Sequence, residues 1–218
     1  VRKSVTIDLA DVVLQGDLTV PAEANGLVIF AHGSGSSRHS PRNRYVAGRI
    51  NAVGVGTLLM DLLTVEEERI DEFTREIRFN IPLLADRVAQ VVDWVGSHAE
   101  LSGFVIGLFG SSTGAAAALI AAAELPPDAI RTVVSRGGRP DLADRFLPRV
   151  KCPTLLIVGG DDIEVLALNE QAQKRMTCEA KLSIIPGATH LFEEPGCLEM
   201  VAVVAADWFK NKLSFVKK

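Results

Sequence analysis

The sequence predicts a mostly parallel, doubly wound α/β sheet opened by an antiparallel hairpin. Three observations predict it: short, wholly apolar runs recur from residue 26 onward, stretches of helical periodicity separate them, and the first twenty residues alternate instead. Runs apolar at every position suit central strands of a parallel sheet, which are covered on both faces. Alternation of such runs with helices builds a sheet with helices on both sides.

The elements follow in order. From Lys3 to Val20, VTIDLADVVLQGDLTV reads as two strands joined near Ala10 and Asp11. After Pro21 come GLVIFA (26–31), VGTLLM (55–60), GFVIGLF (103–109), IRTVVS (130–135), PTLLIVG (153–159) and KLSIIP (181–186), all expected as buried strands. A helix is expected over residues 42–54. Ile81, Leu84, Val88, Val91, Val92 and Val95 form a second helical stripe, opened by Pro82, whose missing N–H is not needed in a first turn. Leu198, Val201, Ala202, Ala205, Trp208 and Phe209 form the closing helix, starting near Glu194 and Pro195 and ending in a basic tail.

A chain of 218 residues falls near the upper end of what one core serves. A single domain over residues 1–218 is expected, with no separate cap domain; any cover is a loop. Net charge is −4, from 23 basic and 27 acidic residues, and no broad Lys/Arg cluster suits a phosphate backbone, so nucleic acid is not an expected partner. The apolar runs are too short or interrupted to span a bilayer, and the start lacks the features of a signal peptide. A cytoplasmic location is expected, with no membrane partner; a homo-oligomer is left open. Cys152, Cys178 and Cys197 are odd in number and lack CxxC spacing, which argues for reduced thiols rather than a disulfide framework or zinc site. No cofactor or metal is expected.

In such a sheet, chemistry gathers at the carboxyl ends of the strands. GFVIGLF runs into GSSTG (110–114) and then into AAAALIAAA, a GxSxG turn in strand–turn–helix context with Ser112 at its centre. A nucleophile on so tight a turn needs neighbours without side chains, supplied by Gly110 and Gly114. Ser111 is the local competitor; the alternative reading is a Gly-rich turn that packs tightly or cradles a phosphate.

A serine hydroxyl needs a base, for which histidine is suited. His98 falls at the amino ends of the strands, His39 in a polar loop, and His32 in an HGSG motif suited to shaping a loop. His190, in PGATH after the last strand, combines the right edge with a loop able to reach across. Chain order then puts the acid between residues 112 and 190, and TLLIVGGDD offers Asp162, with Asp161 second and Glu164 third. The competing role for such an Asp is a helix N-cap. An oxyanion would be met by the backbone N–H of Thr113 and a second donor from HGSGSS (32–37), with Ser34 named first and Gly33 or Gly35 as alternatives.

HGSGSSRHSPRN, LFGSSTGAAAA, SRGGRPDLA, PTLLIVGGDD and PGATHLFEEPG together resemble the dienelactone hydrolase-like branch of the α/β hydrolases, notably modules beside or fused to phosphoribosyltransferases. The resemblance runs from about residue 26 to the last helix. It implies the α/β-hydrolase fold, a triad of Ser112, Asp162 and His190, a cytoplasmic enzyme, and hydrolysis of carboxylic esters or lactones. Dienelactone hydrolases proper use cysteine where this elbow carries serine, so the resemblance marks fold and ancestry.

The substrate's surroundings are less specified. Residues 61–79 are dense in charge and read as a solvated loop or short helix, or as the only cover for Ser112. Arg136 or Arg139 is placed to meet an anionic group, or to pair with nearby acids. Gly33 lines the approach, and Phe192 either lines an acyl pocket or packs under the last helix. The expected activity is a serine hydrolase acting on small esters or lactones; the alternatives are a binding or regulatory module and an acyltransferase.

Overall fold

A computed structural model describes residues 1–214. The strands are β1 (Arg2–Asp8), β2 (Val13–Thr19), β3 (Gly26–Ala31), β4 (Gly56–Met60), β5 (Val105–Ser111), β6 (Thr132–Arg136), β7 (Thr154–Gly159) and β8 (Ala180–Ile185). The helices are α1 (Pro41–Ala52), α2 (Val65–Thr74), α3 (Ile81–Ser97), α4 (Thr113–Glu124), α5 (Ile163–Arg175) and α6 (Cys197–Leu213), with 3-10 turns at Ile77–Phe79 and Pro140–Arg149. The eight strands among the described residues join one sheet in the order β1-β2-β4-β3-β5-β6-β7-β8. β1 pairs antiparallel with β2, and β2 antiparallel with β4; every later pairing is parallel. This is the mostly parallel α/β-hydrolase sheet with an antiparallel opening.

Side-chain alternation along the strands divides the interior in two. Leu27, Ile29 and Ala31 of β3 join the core beneath α3 and α4, while Val28 and Phe30 join the core beneath α1 and α6. Phe30 stacks on Phe109 with ring centroids 4.6 Å apart, which locks β3 to β5 on the α6 side. β3 to β7 are buried or nearly so throughout. β8 departs from expectation: it is partly exposed along most of its length because it has a neighbour on one edge only.

The helices begin where local chemistry starts them. Ser40 accepts from the Asn43 N–H ahead of α1, and Asn80 accepts from the Leu83 N–H ahead of α3, with Pro41 and Pro82 in the first turns. α2 opens on a reciprocal capping box between Thr64 and Glu67. α6 starts at Cys197, after left-handed Gly196, slightly later than Glu194 and Pro195 suggested. Lys210 and Lys212 stand in its last turn; Lys217 and Lys218 lie outside the described residues. None of the described helices is long and apolar enough to cross a membrane.

Residues 61–79, open between loop, short helix and cover, form α2 and the turn at Ile77–Phe79. The segment is tied down by charge. Both Arg87 guanidinium nitrogens Nη1 and Nη2 bond Glu67, at 2.7 and 2.5 Å, and Nη1 also reaches the Leu62 carbonyl at 2.6 Å. Buried Asp71 accepts from the Ile77 and Arg78 N–H groups and from the Arg78 side chain. Burial raises the Asp71 carboxyl, but these donors outweigh it and hold the group below its ordinary range.

Candidate active site

The carboxyl end of β5 turns sharply into α4, and Ser112 is the corner, with φ 50° and ψ −119°. A positive φ costs a residue with a side chain about 1–3 kcal/mol and persists only where surroundings enforce it. Here the Ser112 N–H donates to the Arg136 carbonyl (3.2 Å), and its carbonyl accepts from Ala115 (3.1 Å) and Arg139 (3.2 Å). The flanking glycines are steric necessities: a Cβ on Gly110 would enter the backbone of Ala115, and one on Gly114 would enter the carbonyls of Ala31 and His32. Ser111 is excluded from this role by its own contact, since its buried hydroxyl donates to Asn43 at 3.0 Å.

His190 and Asp162 meet across the ends of β7 and β8. Asp162 sits at the cap position of α5, yet its side chain makes no cap bond; its Oδ2 lies 2.7 Å from His190 Nδ1. A carboxylate only accepts, so the proton sits on Nδ1 and Nε2 is left as the basic nitrogen. Neither Asp161 nor Glu164 bonds the imidazole among the described residues. The loop is stapled in place: Gly160 N–H bonds Ile185, Asp161 N–H bonds Ala188, and Thr189 Oγ1 donates to Glu194 at 2.5 Å.

Ser112 and His190 approach through a shared neighbour. Arg136 receives the Ser112 N–H, and a Cβ built on the next residue, Gly137, would stand 3.5 Å from His190 Cε1. Among the described residues no hydrogen bond joins Ser112 Oγ to the ring.

The N–H of Thr113, first in α4, has no acceptor among the described residues. The Ser34 N–H is engaged, donating to Thr113 Oγ1 at 2.9 Å. A Cβ built on Gly33 would stand 3.3 Å from the Ser112 Cβ, so the loop passes close over the serine turn. The loop is held by buried His32, whose Nδ1 lies 2.8 Å from the Gly33 carbonyl and whose Nε2 accepts from Leu62 N–H at 3.0 Å. Burial pushes the His32 pKa down, against the opposing pull of the Gly33 carbonyl and Asp61. The Thr113 hydroxyl is a site feature that sequence reasoning passed over; a hydroxyl beside the central serine was the only signal for it.

A cleft of about 570 Å³ opens between residues 32–42 and α2, lined by Gly33, Ser34, Ser37, Arg42, Glu68 and Glu72 among others. Burial and the nearby Asp61 raise the Glu68 carboxyl. His39, exposed, meets Arg44; His98 lies far off, against the Trp94 carbonyl. Phe192 is 1% exposed and packs in the α6-side core, so the structure places it under the last helix and not on the cleft. Arg139 pairs with Asp141 at 2.7 Å, whereas Arg136 is buried with no acid partner among the described residues. The three thiols are free, and burial pushes the Cys152 pKa up to about 12.

This arrangement has known counterparts. A dienelactone hydrolase from Anabaena variabilis ATCC 29413 is 52% identical, with a TM-score of 0.96 over 98% of both chains. Est1E from Butyrivibrio proteoclasticus shares the fold at 18% identity, with a TM-score of 0.80 over 96% of this chain and 98% of its own. Proteins of Mycobacterium tuberculosis strains CDC 1551 and H37Rv, provisionally named phosphoribosyl transferases, are 53% identical over 97% of this chain. The chain spans 46% of their length, about half. Residues 21–218 match the dienelactone hydrolase family, and the chain belongs to that family.

Proposed function

We propose that the chain is a serine hydrolase of carboxylic esters or lactones, with Ser112 as nucleophile, His190 as base and Asp162 as the acid that orients it. The observation that carries this reading is the His190–Asp162 bond at 2.7 Å, beside a serine held at positive φ on the same sheet edge. Ser112 Oγ attacks the carbonyl as His190 Nε2 takes its proton, and Asp162 stabilises the imidazolium that forms. The Thr113 N–H and the Ser34–Thr113 hydroxyl pair face the developing oxyanion. His190 then returns the proton to the leaving alcohol, and water, activated by the same nitrogen, clears the acyl-enzyme. In this reading the transferase name of the longer relatives belongs to the part of those proteins outside the match.

Labelling with a fluorophosphonate probe tests it. Wild type should label and hydrolyse short-chain aryl esters or lactones, and Ser112→Ala should do neither. A wild-type protein that resists labelling and turns over no ester would make the chain a binding module.

A further inference from the structure

α5 buries one face, made of Val165, Asn169 and Ala172, and the middle of the three is an amide where packing alone would place an apolar side chain. Asn169 is fully buried. Its Nδ2 donates to the Val165 carbonyl at 2.8 Å, one turn back in its own helix, and to the Gly138 carbonyl at 3.0 Å, in the loop after β6. Carbonyl oxygens only accept, so the amide nitrogen must face both. That leaves Asn169 Oδ1 buried with no partner among the described residues, an arrangement that costs stability. A leucine would avoid the cost; the bond to Gly138 is what the amide adds.

Gly138 is where such a bond has leverage. Its backbone is wedged against β6 and α4, since a Cβ built on it would enter the Ser135 side chain and the Ala115 Cβ. On one side the Gly137 N–H donates to the Ile157 carbonyl at 2.7 Å, and on the other the Arg139 N–H donates to the Ser112 carbonyl at 3.2 Å. The Ser112 N–H in turn bonds the Arg136 carbonyl. Residues 136–139 therefore clasp both backbone groups of the strained serine. At the other end of the tie, Asp162 heads α5 about two turns before Asn169. One side chain thus joins the helix headed by the acid to the loop that holds the serine. We propose that Asn169 is a positioning residue, which sets the separation of Ser112 from the His190–Asp162 pair by bracing α5 against residues 137–139. This rests on the reading of Ser112 as nucleophile. Proton transfer depends steeply on that separation, and a misplacement of about 1 Å costs up to about 10²-fold in rate. The cleft is walled by residues 32–42 and α2, which are other elements, so substrate binding should be spared.

Two measurements on the full chain test the brace and its catalytic consequence separately. Asn169→Leu keeps the volume and removes the donor; Asn169→Ser keeps a bond within α5 but is too short to reach Gly138. In both, amide exchange at Arg139 should quicken by about 10-fold or more while exchange in β5 stays as in wild type, and unaltered Arg139 exchange in a folded variant overturns the brace. If Asn169→Leu does not fold, Asn169→Ser decides. Active sites are then counted by fluorophosphonate labelling. Per labelled site, kcat should fall about 10-fold in the Asn169 variants with KM held within about twofold. Val165→Ala, on the same buried face with its carbonyl kept, is the packing control and should lower the melting temperature with kcat retained. Wild-type kcat per site in the Asn169 variants, or an equal fall in Val165→Ala, makes Asn169 a packing residue and overturns the proposal. Quickened Arg139 exchange in a protein whose wild type neither labels nor hydrolyses esters removes the nucleophile and leaves the brace standing.

Discussion

At the scale of single residues, the site turns on which hydrogen bond each polar group makes. Asp162 has the position of a helix cap and the contacts of an orienting acid, since its carboxylate goes to His190 and leaves α5 uncapped by a side chain. Asp162→Asn keeps the shape but favours the wrong tautomer, so ester turnover should fall by about 10³–10⁴-fold with Ser112 still in place; steady-state kinetics check this. Thr113 makes a sharper test. Its Oγ1 occupies the Ser34 N–H, so in the proposed mechanism its own O–H is free to point at the oxyanion. Thr113→Val should then lower kcat by about 10²-fold or more, with Thr113→Ser restoring most of it. If Ser34 alone serves as donor, removing the hydroxyl frees it, and kcat should hold or rise.

At the scale of elements, the cleft depends on how α2 is moored. Thr64 and Glu67 cap the helix, and the same Glu67 carboxylate binds Arg87 of α3, which is 3% exposed. The burial of Glu67 raises its carboxyl, but Arg87 and Thr64 outweigh this and hold it below the ordinary range. Glu67→Ala removes the Glu67 half of the capping box, leaving the Thr64 hydroxyl cap, and strands a buried guanidinium, which should cost about 2–4 kcal/mol in chemical denaturation. Glu67→Gln keeps the cap and part of the contact and should lose less. The loss should be accompanied by greater hydrogen exchange in residues 64–79, because those backbone groups depend on the mooring.

At the scale of the molecule, stability is linked to protons through His32. Its imidazole accepts from Leu62 N–H, and burial holds its pKa below 6.5. A group whose folded pKa is depressed stabilises the fold fully above the unfolded value and progressively less as pH falls through the folded one, because the unfolded chain binds the extra proton. Melting temperature should therefore decline as pH drops below about 6.5, the ordinary histidine value. His32→Asn should be less stable at pH 7 and should flatten that part of the decline. A parallel decline in both proteins would remove His32 as the cause.

The order of strands and helices, the glycine-flanked Ser112 and the pairing of His190 with Asp162 were legible in the sequence. Each is written in a local pattern or in chain order: apolar periodicity reports burial, Gly110 and Gly114 report a turn no side chain fits, and an acid at a strand end followed by a histidine loop narrows the partners to few. Only the tertiary structure decided the rest. It gave Arg139 an acid and left Arg136 without one among the described residues, put Phe192 in the core, drew the Ser34 N–H onto Thr113, and folded residues 61–79 into a moored helix beside the cleft. The reason is that a side chain's type fixes what it is able to bond, while its partner depends on loop paths that bring residues tens of positions apart within 3 Å, and many such paths are compatible with one pattern of polar and apolar residues.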